Sequence, residues 1–160
     1  MPETSGPGPL PDEVSLRIDA PPEAVYAIVT DIAQMGRLSP ECTGGHWLDG
    51  ATGPTVGARF KGRNQRGFAR WSTTNRVVAA EPGRAFSFET DQSGTRWTYR
   101  MEADGDGTVV TESRAAFKDR PLVAKVFSTL FLGGSDDHDD EMRDGMRKTL
   151  ERLKAVAEQP

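Results

Sequence analysis

Residues 58–77 read ARFKGRNQRGFARWSTTNRV: six basic residues, no acidic one, and two Phe and a Trp among them. So dense a basic run is odd in a chain of formal net charge −4. Its spacing explains it. In residues 58–64, Arg59, Lys61 and Arg63 fall on one side of a period of two, and Ala58, Phe60, Gly62 and Asn64 on the other. In residues 68–77, Phe68, Arg70, Ser72, Thr74 and Arg76 oppose Ala69, Trp71, Thr73, Asn75 and Val77. This is the pattern of two strands joined by a turn at residues 65–67. The basic side must face water, because each unpaired buried charge costs several kcal/mol. The side with Phe60, Trp71, Thr73 and Asn75 looks inward.

The same texture continues downstream. EPG (81–83) closes the long strand, and RAFSFET (84–90) puts Phe86 and Phe88 on one face. TRWTYRMEA (95–103) puts Trp97, Tyr99 and Met101 together, and DGDG (104–107) is a strong hairpin signal. Upstream, EVSLRID (13–19) alternates, with Val14, Leu16 and Ile18 on one side. The prolines of APPEAVYAIVTDIAQM (20–35) suit a helix's first turn, and Ala24, Val25, Ile28, Val29 and Ile32 recur at helical spacing. At the other end Met142, Met146, Leu150, Leu153 and Val156 or Ala157 form the stripe of a long amphipathic helix, with Ser135 as its N-cap. The order strand, helix, six or so strands, long helix predicts an α+β domain with one antiparallel sheet. If that sheet curves around the last helix, it encloses a space for side chains or a ligand.

The 160-residue length fits one domain, here 13–158 after a Pro/Gly-rich lead-in, 1–12, expected to be disordered. The lead-in has no apolar core and does not read as a signal peptide. No stretch approaches the roughly 20 apolar residues of a membrane helix, so a cytoplasmic protein without stable membrane insertion is expected. With one cysteine, Cys42, there is no intramolecular disulfide to form, and no local signature marks it as a nucleophile. Phosphate-cradling loops, zinc spacings and Ser-centred elbows are absent, and no cofactor is implied.

IDAPPEAVYAIVTD (18–31), SPE (39–41), WLDGATGPTVGARFKGRN (47–64), EPGRAFSFE (81–89), TRWTYRMEADGDGTVVTE (95–112) and GMRKTLERLKAVAE (145–158) resemble the START-like, or SRPBCC, superfamily, in particular its bacterial polyketide cyclase/dehydrase branch. The resemblance covers residues 14–158. It implies a helix-grip fold: a curved antiparallel sheet of six or seven strands wrapped around the long C-terminal helix, with an apolar cavity between them. It carries over no catalytic motif, and the fold hosts many activities.

The ligand-binding residues expected on the cavity side are Phe60, Trp71, Thr73, Asn75, Phe86, Phe88, Trp97, Tyr99 and Met101 from the sheet, with Met142 and Met146 from the helix. Thr73 and Asn75 need hydrogen-bond partners there: each other, water, or a ligand's carbonyl or hydroxyl. The last strand has two readings. Periodicity alone buries Val109, Thr111, Ser113 and Phe117, whereas the resemblance turns Val110 and Glu112 inward. An inward Glu112 would have its pKa raised by an apolar pocket and could serve as a general acid or base. Ion pairing with Arg114 or Arg96 is the structural alternative.

Two functions follow: binding of a hydrophobic small molecule or lipid without chemistry, or an aromatase/cyclase-type enzyme in which Glu112 or Tyr99 transfers protons. The basic strip reads as a solvated outer face rather than a nucleic-acid platform, because stacking residues do not repeat on neighbouring strands and Glu89, Asp91 and Glu102 lie near. His46 reads as structural or exposed. Asp136, Asp137, Asp139 and Asp140 read as first-turn acids that favour the helix dipole rather than as metal ligands. The apolar stretch 122–132 reads as a short helix with two roles open to it, covering the cavity mouth or meeting a second copy in a homodimer.

Overall fold

The computed structural model describes residues 12–117 and 135–159, the side chains of 135–142 excepted. The lead-in, the apolar stretch 122–132, the side chain of Met142 and the first-turn acids lie outside the described residues. Strand β1 (Asp12–Ile18) leads into helix α1 (Pro22–Val29) and a 3₁₀ helix (Ile32–Arg37). Strands β2 (Cys42–Trp47), β3 (Arg59–Arg66), β4 (Ala69–Glu81), β5 (Ala85–Thr90), β6 (Thr95–Asp104) and β7 (Gly107–Ala116) follow, then helix α2 (Ser135–Ala157).

The seven strands form one sheet in the order β1-β7-β6-β5-β4-β3-β2, every pair antiparallel. The sheet is curved and works with the C-terminal helix as a helix-grip fold. Strands β2 to β7 are a meander, and β1 returns to pair with the last of them. Two hairpins close in two residues, Gly67–Phe68 and Gly105–Asp106. Each opens on a glycine at positive φ (59° and 60°), the first-position requirement of a type II′ turn. Phe68 is therefore a turn residue and not the first residue of a strand face, as the period of two had it.

Pro21 and Pro22 start α1 where missing N–H groups cost nothing, and Val25, Tyr26 and Val29 turn inward. The 3₁₀ helix rests on β2 at a separation that only glycine allows. A Cβ on Gly36 would lie 2.8 Å from the backbone of Thr43, and one on Gly45 would lie 3.1 Å from Ile32.

Helix α2 buries Met146, Leu150 and Leu153 and leaves Arg143, Lys148, Glu151 and Arg152 in water, the division expected from its sequence. It lies along β1, and its described side-chain region is tied at one end to the first residue of that strand and at the other to the residue just after it. Arg143 donates to Asp12 at 2.7 Å, and the Asp19 backbone N–H donates to Glu158 at 2.7 Å. Leu150 and Leu153 join one contiguous core with Ile18, Val25, Phe60, Val77, Phe86, Phe88, Met101 and Val110.

Candidate functional site: a buried carboxyl on the concave face

The strand registers set the inward side chains in rows. Val14, Glu112, Tyr99 and Phe86 share one row, and Asp12, Arg114, Trp97 and Phe88 the next. Trp47, Phe60, Asn75 and Thr90 form a third. Aromatic rings link the rows: Trp47 to Phe60 at 5.5 Å and Phe60 to Phe88 at 5.0 Å, both edge to face, then Phe88 to Phe86 at 5.6 Å.

Of the side chains expected here, Phe60, Asn75, Phe86, Phe88, Tyr99, Met101 and Met146 are buried. Trp71, Thr73 and Trp97 are half-buried, and only Trp97 of these is packed against the contiguous core as a hydrophobic wall. The period of two missed Trp47, which stands between His46 and Leu48 in a run too short to assign a face. It also missed Asp12, which lies one residue before the strand as read from sequence.

The polar groups on this face divide sharply. Thr90 donates to the Asn75 carbonyl at 2.6 Å, and the Asn75 amide donates to the Thr73 hydroxyl at 3.1 Å. Asn75 is thus satisfied by its own neighbours. Glu112 is not. It is 3% exposed and accepts one hydrogen bond, from the Tyr99 hydroxyl to Oε2 at 2.9 Å. Its other oxygen, Oε1, is buried with no partner among the described residues.

This settles the two open readings of β7. Val110 and Glu112 face inward, while Val109 and Thr111 are only half-buried, so the more apolar register is overturned. The physical reason lies in the neighbours: the inward register sets Glu112 across from Tyr99 and Arg114 next to Asp12, giving each polar side chain a partner. The arginine partners expected for Glu112 are likewise replaced. Arg96 lies on the convex face with Glu89 at 2.5 Å, and Arg114 reaches Asp12 at 2.7 Å. Burial works against the Asp12 charge, but hydrogen bonds from Arg143 and Arg114 outweigh it and hold that carboxyl below the usual range.

Burial pushes the Glu112 carboxyl up to about 8, against the lowering effect of the Tyr99 hydrogen bond. Tyr99 is pushed well up by burial and then by the Glu112 charge. At neutral pH Glu112 is therefore mostly a carboxylic acid. Because Tyr99 donates to Oε2, the acid proton belongs on Oε1, a buried O–H donor without an acceptor. Such a group can donate to a carbonyl or hydroxyl oxygen, or exchange a proton with a carbon acid.

Other candidates drop away. Burial pushes the Cys42 thiol up, against the Gly44 hydrogen bond and the Arg63 charge, so little thiolate is available. His46 is exposed, 3.5 Å from Arg63. Among the described residues no cluster of His, Cys, Asp or Glu could hold a metal ion, and no helix is long and apolar enough to cross a membrane.

A curved antiparallel sheet, a terminal helix lying along its first strand and an inward aromatic face define the START-like class. Within it, the chain belongs to the family described as polyketide cyclase/dehydrase and lipid transport, which matches residues 13–158. A polyketide-cyclase-like protein of Corynebacterium glutamicum, solved by NMR, is 35% identical, with 91% of this chain and 88% of that one covered at a TM-score of 0.57. The Bacillus halodurans protein BH1534 shares the fold at 19% identity, covering 92% of this chain and 96% of that one, TM-score 0.66. The di-domain ARO/CYC StfQ of the steffimycin biosynthetic pathway does so at 12% identity, TM-score 0.66, covering 91% of this chain but 44% of that one. No curated protein matches the chain.

Proposed function

We propose that residues 13–158 act as one unit that binds a hydrophobic small molecule or lipid between the concave face of the sheet and the C-terminal helix, with Glu112 as its polar anchor. The observation that carries this reading is the unpartnered Oε1 of Glu112 on a face otherwise apolar or internally satisfied. A buried donor left unmade costs about 1–3 kcal/mol, and a ligand oxygen would recover it. The ligand's polar end would then lie at β6 and β7, with its apolar body along Phe86, Phe88 and Phe60. Trp97, half-buried in the row beside Glu112, would form a wall. The family's description, which names lipid transport, supports the same reading.

A second reading has its own support, since a carboxyl near pKa 8 is poised for proton transfer at physiological pH. In an aromatase/cyclase-type reaction, Glu112 as carboxylate would take a proton from a carbon between two carbonyls. After the new C–C bond forms, it would return that proton to the alkoxide and end as it began. Titration with Nile red, a neutral apolar probe bearing a carbonyl, tests the binding reading, together with native mass spectrometry of protein purified from its source. Saturable binding weakened about tenfold by Trp97→Ala is expected, as loss of a large apolar contact implies. Non-saturable uptake of the dye, or a Trp97→Ala variant that binds as tightly as the parent, would remove the reading. Glu112→Gln separates the two functions: a catalyst would lose turnover and keep the dye.

A further inference from the structure

The β3–β4 hairpin carries a second surface. Its turn residue Phe68 is as exposed as in an open chain, 105%, and among the described residues the only other exposed large hydrophobic is Val56, at 64% beyond the opposite end of β3. One exposed Phe is ordinary on its own. What lies behind it is not. On the convex face the registers set Arg70 across from Gln65, Arg63 from Ser72 and Lys61 from Thr74, so these rows of β3 and β4 hold cations and neutral polar groups with no acid.

Elsewhere on that face acids stand among the cations, and Arg76 is set across from Glu89 in register. Arg96 meets Glu89 at 2.5 Å, Arg100 meets Glu13 at 3.3 Å, and Arg17 meets Asp104 at 2.9 Å. At the base of the hairpin Arg59 meets Asp49 at 2.8 Å. Lys61 and Arg70 form no ion pair among the described residues, and Arg63 lies against the His46 ring instead. A chain of net charge −4 therefore concentrates unneutralised positive charge behind one exposed aromatic ring.

We propose that this hairpin docks on an anionic lipid surface, with Phe68 at the boundary between headgroups and acyl chains and Lys61, Arg63 and Arg70 over the headgroups. The order of groups along the hairpin fits that geometry: an apolar tip, then long cationic side chains whose stems reach down while the charges stay at the surface. Penetration is shallow, because the turn's peptide groups must keep hydrogen-bond partners. Nucleic acid fits less well. Base stacking on a sheet needs aromatics on successive strands, and the convex positions of β2, β4 and β5 hold no Phe, Tyr or Trp.

Vesicle flotation tests the proposal in two arms, phosphatidylcholine alone and phosphatidylcholine mixed with phosphatidylserine. The protein should float with the mixed vesicles and not with the neutral ones, and should be released as salt shortens the screening length from ~10 Å at 0.1 M to ~3 Å at 1 M. Lys61→Gln and Arg70→Gln should each weaken partitioning about fivefold, and Phe68→Ser by a similar factor at any salt. Arg100→Gln, which removes a neutralised cation from the other half of the face, should change nothing. All four sites are exposed, so folding is not at stake. No flotation, equal flotation with both vesicles, or flotation indifferent to residues 61, 68 and 70 overturns the proposal. So does capture of a single-stranded oligonucleotide through the same residues without vesicle binding. None of these outcomes bears on Nile red binding, so failure here is distinct from failure of the ligand site.

Discussion

Replacing Glu112 with Gln asks whether this carboxyl is as deeply held as its geometry implies. Burial raises its pKa from 4.5 to about 8 in the folded protein. The folded state thus holds the proton more tightly than the unfolded chain does. The sign follows: stability is greatest below about pH 4.5, falls as the pH rises through the interval up to about 8, and is level above it. At about 1.4 kcal/mol per unit, the interval from 4.5 to about 8 amounts to a ceiling of about 5 kcal/mol, reduced by any water that reaches the charged group. That is a large share of the 5–15 kcal/mol that holds a typical domain together. Gln keeps the shape and an acceptor for Tyr99 but never ionises. Urea unfolding of the parent and Glu112→Gln proteins at a series of pH values gives the difference between them. Groups that titrate in both, such as Asp12, cancel. The difference should move in favour of the variant by roughly 3 kcal/mol or more between about pH 5 and about pH 9. Parallel curves, constant to within about 0.5 kcal/mol, would mean that the carboxylate is already solvated or paired, and the anchor assigned to it would go too.

Tyr99→Phe removes the one hydrogen bond that Glu112 accepts, so it should cost about 1–2 kcal/mol and carry the pH-dependent fall in stability above pH 8, read from the same urea series. Two glycines should answer an added methyl with opposite signs in thermal melts. Gly36→Ala drives a Cβ to within 2.8 Å of the Thr43 backbone and should lose about 1–3 kcal/mol. Gly145→Ala, inside α2 with open space around it, should gain about 0.5–1 kcal/mol.

Much of the fold was legible because its strands are half-buried, and a half-buried strand writes its face into the sequence. Lys61 and Arg70 cannot lie inside unpaired, so Phe60 and Trp71 fall on the inward side without any tertiary information. The stripe of Met146, Leu150 and Leu153 worked the same way for the helix. Where both faces of a strand are covered, that signal fails. In β7, Val109 and Val110 are equally apolar, and Ser113 is buried on the outer side as fully as Tyr99 is on the inner. Hydropathy had nothing with which to separate the two registers. Cross-strand partners decided it, and partners come from β1 and β6, beyond the reach of any local window. Phe68 failed for a different reason: glycine at the first loop position pulled the next residue into the turn, a two-residue constraint that alternation does not register.

Asn75 and Glu112 show why a buried polar residue alone does not mark a site. Both are 3% exposed on the concave face, and both stand on strands whose sequence gave reason to expect a ligand. Asn75 has four hydrogen-bonding positions and finds partners for both ends within two residues in sequence and one strand in space. Its role is complete without any other molecule, and it pins β4 to β5. Glu112 has a neighbour for one oxygen only, and the charges that would have completed the pair, Arg114 and Arg96, are engaged with Asp12 and Glu89. A leucine or methionine at residue 112 would serve packing better, since a buried ionisable group with half its partners missing is a net cost. Among the described residues nothing completes the hydrogen bonding of that carboxyl, and the proposed ligand would do so at Oε1.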